Sequence, residues 1–598
     1  MRNGVAGIYQ PFLRVAIIAA LVSLWLACGQ AEAPTPTPTA TPTKAPAATA
    51  TPTKATVATP TPTAVAVGPV ATPTPTLVAT PTSAAPVTEK PRYGGTLEDG
   101  LGLFTPSFDG QFHSGSPDYF WANAKLYSNL LINYEGQKIE CDICSEWHLA
   151  NGNKTMVFTL IPGIKFHTGQ ELTSEDVKYS IRMMIGDVDG IISPRSGVLK
   201  EFIESIETPS KYEVRVNLVR PSLYVPKVLG TASSMIYRAG TTRADLTKAP
   251  AGSGPFLIKE VVPGASWKFE RNPNYFKPGL PYIDKINQTT VADINTRVAA
   301  FLTHRIDFWI TPTRPADQYM PKYQQLRDEG KVNSQVFSRG TALHGVFMNV
   351  TKPPFDNLKV RQAVNLVLDR PAFGKVYAGE RYTPHLLVYT EADVPYGRPA
   401  NQVWDVLPGW GTGAKKQQEV EQAKRLAVEA GYPNGLDNIR QTNQLNWLEP
   451  ELLQQELRKL GIRTNIETYP SVTYQAKNTA LDYSVTIFLY RQTTSDPDEI
   501  IGSNWVTGGA RNLPGYSNPE VDKLYIQMSS EIDPAKKVAL FRQIEDIIIF
   551  KDQGYAPTPD TDVEGFWWKR LQGVTIGMAM HVAGSSGNAR GDRWWLKD

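Results

Sequence analysis

The 598-residue sequence has only three cysteines and seven histidines, too few and too scattered for an obvious metal centre. A structural zinc site needs four ligands, but beyond Cys28 there is only the Cys141-Asp142-Ile143-Cys144 pair. His113, His148, His167, His304, His344, His385 and His581 include no close pair at metal-ligand spacing. Neither sign of charge dominates. Lys and Arg number 61 against 58 Asp and Glu, a net charge of +3, which argues against a nucleic-acid or acidic-polymer partner. No G-x-S-x-G elbow, Walker-type phosphate loop or H-E-x-x-H helix occurs, and Gly409, Gly411 and Gly413 lack the strand context of a dinucleotide fingerprint. The expectation is a protein that is not an enzyme, has no cofactor or metal and does not bind nucleic acid.

What the sequence does contain begins at its amino end. Arg2 and Arg14 precede a 13-residue apolar run, Val15 to Ala27, in which Ser23 is the only polar residue. That run is too short to span a bilayer comfortably, so residues 1–27 read as an export signal removed after targeting. The run ends Leu24-Trp25-Leu26-Ala27-Cys28-Gly29. This resembles a bacterial lipobox, with Trp25 where Leu is usual, and implies acylation of Cys28; simple signal cleavage with Cys28 a bystander is the alternative. Acyl chains would hold the protein at the outer face of the cytoplasmic membrane or elsewhere in the periplasm or cell envelope without threading it through.

Residues 28–90 are the lipidated end and a stalk. From 31 to 90 the chain is a Thr, Pro and Ala tract without Phe, Trp or Tyr, and with repeated units such as Thr35-Pro36-Thr37. Nothing there can form a core and proline blocks regular ladders, so an unfolded, extended tether is expected, reaching at most roughly 190 Å at polyproline rise. Threonines in such a tract are potential sugar acceptors.

From Tyr93 onward aromatic and aliphatic residues return. Met156-Val157-Phe158-Thr159-Leu160 reads as a strand, and Glu213 to Leu218 alternates with period two. Thr173-Ser174-Glu175-Asp176 offers a capping-box start to a helix whose Val177, Ile181, Met184 and Ile185 share one face. Leu452, Leu453, Leu457 and Leu460 form a second stripe ended by Gly461, and Val538 to Phe550 a third. The reading is a mixed α/β body without internal repeats.

Pro162-Gly163-Ile164-Lys165-Phe166-His167-Thr168-Gly169, followed by Glu171-Leu172-Thr173-Ser174-Glu175-Asp176-Val177, resembles the bacterial extracellular solute-binding proteins of dipeptide, oligopeptide and nickel ABC importers, known as family 5. More of the pattern recurs in order. It includes Tyr93-Gly94-Gly95-Thr96-Leu97, Gly252-Ser253-Gly254-Pro255-Phe256, Arg271-Asn272-Pro273-Asn274-Tyr275, Asn349, Pro353-Pro354-Phe355-Asp356, Asp369-Arg370, Gly431-Tyr432-Pro433, Asp496-Pro497 and Tyr516-Ser517-Asn518-Pro519. Most of these residues are turn and cap chemistry, which marks a fold rather than a cargo.

The resemblance implies a two-lobed periplasmic-binding-protein-like α/β fold of the large type II class. It has an extra subdomain in lobe I, and two crossover strands form a hinge at the cleft. Lobe I is expected to hold residues 91–345 and 566–598, with crossings near Gly345 to Asn349 and near Pro557 to Phe566, and lobe II residues 346–565. The tail aromatics Phe566, Trp567, Trp568, Trp594 and Trp595 are expected to pack lobe I. A monomer that closes on a small-molecule or peptide ligand and passes it intact to an ABC permease and ATPase follows. A surface sensor or adhesin, and a secreted hydrolase on the same scaffold, stay open as alternatives.

In peptide-binding relatives an Asp shortly before the Asp-Pro step receives the ligand's amino group. Thr493 stands at that place here, in Tyr490-Arg491-Gln492-Thr493-Thr494-Ser495-Asp496-Pro497. The ligand-binding set implied by the resemblance is Tyr490, Arg491, Thr493, Asp496, Trp447, Trp505, Phe104 and Phe108. Arg491 offers a planar fork for a carboxylate, phosphate or sulfate, or alternatively pairs with Asp498. Cys141 and Cys144 are expected to form a local disulfide, a redox pair or a partial metal site with His148 being the alternatives.

Overall fold

In the strand Glu213–Leu218 the alternation is physical: Val214, Val216 and Leu218 are buried while Arg215 faces solvent. The computed structural model describes residues 89–597 except 103–106, 113–116, 135–137, 195, 311–318, 338–341, 380–381, 389–395, 446, 492–493, 495, 561–562 and 575–588. The export signal, Cys28 and the Thr/Pro tract therefore lie outside the described residues. All the described residues belong to one compact unit, Ala85–Asp598.

Glu213–Leu218 pairs antiparallel with Thr155–Leu160 and Ile203–Ser210, and Cys144–Ala150 completes a four-stranded sheet. The helix Ser174–Met184 packs on it through Val177, Ile181 and Met184. Asp176 reaches back to the Thr173 backbone N–H at 2.7 Å, as the capping box requires. Gly163 and Gly169, at φ +81° and +92°, make the turns that carry the chain from strand to helix. A disulfide joins Cys141 to Cys144 at the entrance to this subdomain.

The subdomain adjoins a mixed seven-stranded sheet in the order Val332–Phe337, Val563–Trp568, Phe308–Ile310, Thr96–Leu101, Lys285–Thr290, Ser266–Arg271, Phe256–Val262. Its second strand comes from near the carboxyl end of the chain. Phe566 and Trp567 enter two hydrophobic clusters of this lobe, and Trp594 and Trp595 are buried. The other lobe is built on a five-stranded sheet ordered Ile462–Tyr469, Leu436–Gln444, Val485–Arg491, Ala342–Met348, Tyr555–Pro557. The first three strands run parallel and the last two pair antiparallel. Alternate side chains of Ala342–Met348 feed two cores, Leu343 and Phe347 on one face, Val346 and Met348 on the other. Helices cover both faces. The Leu453 and Leu457 stripe of Glu449–Arg458 closes one, and Phe541 and Ile544 of Pro534–Asp546 the other.

The chain leaves the seven-stranded sheet at Phe337 and enters the five-stranded sheet at Ala342, then returns between Pro557 and Val563. The expected lobe boundaries at 345 and 566 thus fall inside strands. Residues 342–348 are fully paired with Val485–Arg491, and 563–568 with Val332–Phe337, so the first change of sheet comes several residues earlier than expected, while the second falls within the expected span 557–566. Gly345 lies where Ala342–Met348 and Tyr555–Pro557 touch; a Cβ there would sit 2.4 Å from the Ala556 carbonyl oxygen.

Family-like motif residues prove to be internal ties. Asn349 donates to the Leu481 and Tyr483 carbonyls, both at 3.0 Å. Buried Arg370 donates to the Pro557 carbonyl at 2.8 Å and lies over Trp410.

Candidate functional site

The central strand of the second lobe, Val485–Arg491, leads into the helix Pro497–Asn504. Pro497 suits the first helical position, and Asp496 caps the helix by accepting the Asp498 N–H at 3.2 Å. This corner faces the first lobe. The short helix Tyr224–Leu229 of the subdomain, fixed by its buried Tyr224, Val225, Val228 and Leu229, projects Lys227 across the boundary. Lys227 Nζ lies 2.9 Å from Asp496 Oδ2. Lys537, from Pro534–Asp546, lies 3.0 Å from Asp496 Oδ1 and 2.9 Å from Asp498 Oδ2.

Asp496, Asp498 and Lys537 are entirely buried. Burial alone would raise the Asp496 pKa, but Lys227 and Lys537 outweigh it and hold the carboxyl well below the usual range. For Asp498 burial wins, helped by repulsion from Asp496, and the pKa rises to about 7. The two acids lifted Lys537 above the ordinary lysine range against its burial.

Around this charge cluster the lobes are in direct contact. Arg511 donates to the Pro194 carbonyl at 2.7 Å, Arg220 to Ser529 Oγ at 2.9 Å, and Tyr525 to Glu201 at 3.3 Å. A Cβ on Gly502 would come within 2.8 Å of Val198.

The expected ligand contacts divide accordingly. Tyr490 is buried, donates to Glu499 at 2.9 Å and carries the Arg511 guanidinium 4.5 Å above its ring. Trp505 is wholly buried among Phe347, Tyr516 and Tyr555, and Phe108 packs on Trp267 in the first lobe. Trp505 and Phe108 are core residues, corrections that follow from their apolar enclosure. Both oxygens of Asp496 already have lysine partners. Trp447 is half-buried beside Tyr474. Arg491 closes its strand opposite Ala342, with its side chain outside the described residues, as are Phe104 and Thr493. Asp498 pairs with Lys537, and the suggested Arg491–Asp498 pair lies outside the described residues.

A second polar group, missed in the sequence, gathers in the second lobe beside the return crossing. His344 Nδ1 lies 3.3 Å from the Pro559 carbonyl and Nε2 3.6 Å from Glu449; the ring packs on Tyr377 at 4.2 Å and approaches Trp447 edge-on. The His344 N–H donates to His385 Nε2 at 3.2 Å. Forty-one positions separate these histidines, and no spacing pattern betrays their meeting. Among the described residues no group of three His, Cys, Asp or Glu is placed to hold a metal, and no helix is long and apolar enough to cross a membrane.

Residues 138–512, which take in the four-stranded subdomain, five of the seven strands of the larger sheet of its lobe and most of the second lobe, match the model of the bacterial extracellular solute-binding proteins, family 5. The chain belongs to that family. Heme-binding protein A of Haemophilus influenzae is 24% identical over 474 residues, covering 72% of this chain and 81% of that protein. Glutathione-binding protein GsiB of Escherichia coli K12 is 26% identical over 443 residues, 71% and 81%. Among solved structures, the ABC transporter-associated periplasmic binding protein DppA of Helicobacter pylori, in complex with the peptide STSA, superposes with a TM-score of 0.69 at 20% identity, covering 85% and 99%. AgaA from A. tumefacien in complex with agropinic acid gives 0.68 at 22%, covering 84% and 99%. The fold is the two-lobed periplasmic-binding-protein type, and this family 5 member is a solute-binding protein, not an enzyme.

Proposed function

We propose that this solute-binding protein captures a peptide-like or related small solute between its lobes and hands it unaltered to an ABC permease. On this reading a lipid on Cys28 anchors it outside the cytoplasmic membrane, and residues 28–90 act as a tether that keeps the receptor near the permease at high effective concentration. Lobe I then comprises residues 91–337 and 563–598, and lobe II 342–557, acting as a monomer. The observation that carries the reading is the match over residues 138–512, which takes in parts of both lobes and the first passage between them.

The corner at Asp496 bears on the kind of solute. Its carboxylate is saturated by two lysines and Thr493 replaces the family's acidic anchor, so a free ammonium group finds no acid at 493 or 496. Solutes with a blocked or absent amino end are favoured, and Arg491 and Trp447 are the contacts retained for them.

Thermal melting of the purified protein against free and acetylated peptides, glutathione, heme and opines tests this. A true ligand at a hundred times its Kd stabilises by about 2.7 kcal/mol, a readily seen rise in melting temperature. A panel that leaves the melt unmoved refutes solute capture. A response confined to peptides with free amino ends refutes the ligand assignment.

A further inference from the structure

The second lobe supplies two acids, Asp496 and Asp498, and one base, Lys537, to a wholly buried cluster. Lys537 meets Asp496 only at Oδ1, and the other oxygen, Oδ2, finds its cation in Lys227 of the first lobe. Lys227 is carried by the helix Tyr224–Leu229, whose buried face holds it to the subdomain, so its backbone stays with the first lobe if the lobes part. The other boundary contacts are of a different kind. Arg511 to the Pro194 carbonyl and Arg220 to Ser529 join a cation to a neutral acceptor, and water replaces such acceptors at small cost. Separating Lys227 from Asp496, in contrast, leaves Oδ2 of a wholly buried carboxylate without the cation that faces it. Taking one partner from a buried charge pair is among the more costly changes in a protein.

We infer that the Lys227–Asp496 pair is a clasp between the lobes: Lys227, without touching the solute, stabilises the closed arrangement by supplying the second cation to the buried carboxylate at the second lobe's helix start. The inference rests on the solute-capture reading only in taking the two lobes to be mobile. It assigns the closure energy of this corner to a group supplied by the subdomain.

The test is hydrogen exchange, read by mass spectrometry, on the full chain without added solute. Lys227→Met leaves Asp496 with Lys537 alone, and Asp496→Asn takes the carboxylate away from Lys227. Each is expected to speed exchange at least about tenfold in the facing segments 196–202 and 497–505, while Thr155–Leu160 and Leu436–Gln444 inside the two lobes keep wild-type rates. The double variant keeps a capping side chain at 496 and leaves one acid with one base, so its boundary exchange returns toward wild type. Wild-type exchange in both single variants overturns the clasp, as does a double variant that exchanges as fast as either single or faster. Failure of the clasp is separable from failure of solute capture. A solute panel that raises the melting temperature while the single variants stay protected sinks only the clasp, and variants that open while no solute shifts the melt sink only the capture reading.

Discussion

The end of the chain is stapled to the first lobe by Arg590, and the two halves of that staple are not equivalent. Arg590 is wholly buried and forms a two-pronged bond with Asp142, 2.7 Å at each prong; it also donates to Asn129 Oδ1 at 3.1 Å. Asp142 has further partners in the Asn129 N–H at 2.8 Å and the ammonium of Lys277. Arg590→Met therefore leaves the carboxylate with a counter-charge in contact, whereas Asp142→Asn leaves a buried guanidinium with no carboxylate in contact, Asp592 reaching it only through the Tyr275 hydroxyl. Breaking a buried pair by removing one partner costs about 3–5 kcal/mol. Asp142→Asn is expected to fall within that range, and Arg590→Met, relieved by Lys277, to cost about 2 kcal/mol. In the double variant the two losses should fall short of their sum by about 2 kcal/mol, as expected for residues in direct contact.

The assay is urea-dependent hydrogen exchange at Leu131–Asn133 and Ile139–Cys141, since a two-lobed chain need not unfold in one step. The pH response follows from the sign of the shift. Burial pushes the Asp142 pKa up, but Arg590 and Lys277 outweigh it and hold it far below its unfolded value near 3.8. Its contribution is present above that value and is lost as pH falls below it. The cost of Asp142→Asn should then be constant from pH 7 to about 5 and shrink below about pH 4. Equal costs for the two single variants, or strict additivity in the double, would refute the reasoning.

Asp498 has the opposite sign. Its folded pKa is raised to about 7, chiefly by burial, so its contribution is complete below the unfolded value and is lost as pH climbs through 7; Asp498→Asn should lack that decline in thermal melts recorded from pH 4 to 8. Gly345→Ala would drive a methyl group to 2.4 Å from the Ala556 carbonyl oxygen and should destabilise the second lobe by about 2 kcal/mol in urea titrations; unchanged stability would mean that the strand pairing beside the crossings yields easily.

Much of the fold was legible because it depends on local chemistry. The Thr173-to-Asp176 box starts its helix, Val214, Val216 and Leu218 point inward, and Leu453 and Leu457 cover a sheet face, each following from a period or a cap a few residues long. The first crossing was misplaced by several residues because strands of the two sheets have the same apolar composition. Trp505 and Phe108 were expected at the cleft and lie in cores, since an aromatic side chain suits both places equally.

From the order of its residues alone this protein is a family 5 solute receptor of mixed α/β build, with a Thr/Pro tract before its folded body, because turns, caps and hydrophobic periods act over short stretches of chain. Which acids remain for a ligand is a different matter. Asp496 meets Lys227 from 269 positions away, Asp142 meets Arg590 from 448, and His344 meets His385 from 41. A charge is neutralised by whatever packing brings within a few ångströms of it, and only the folded chain sets that distance.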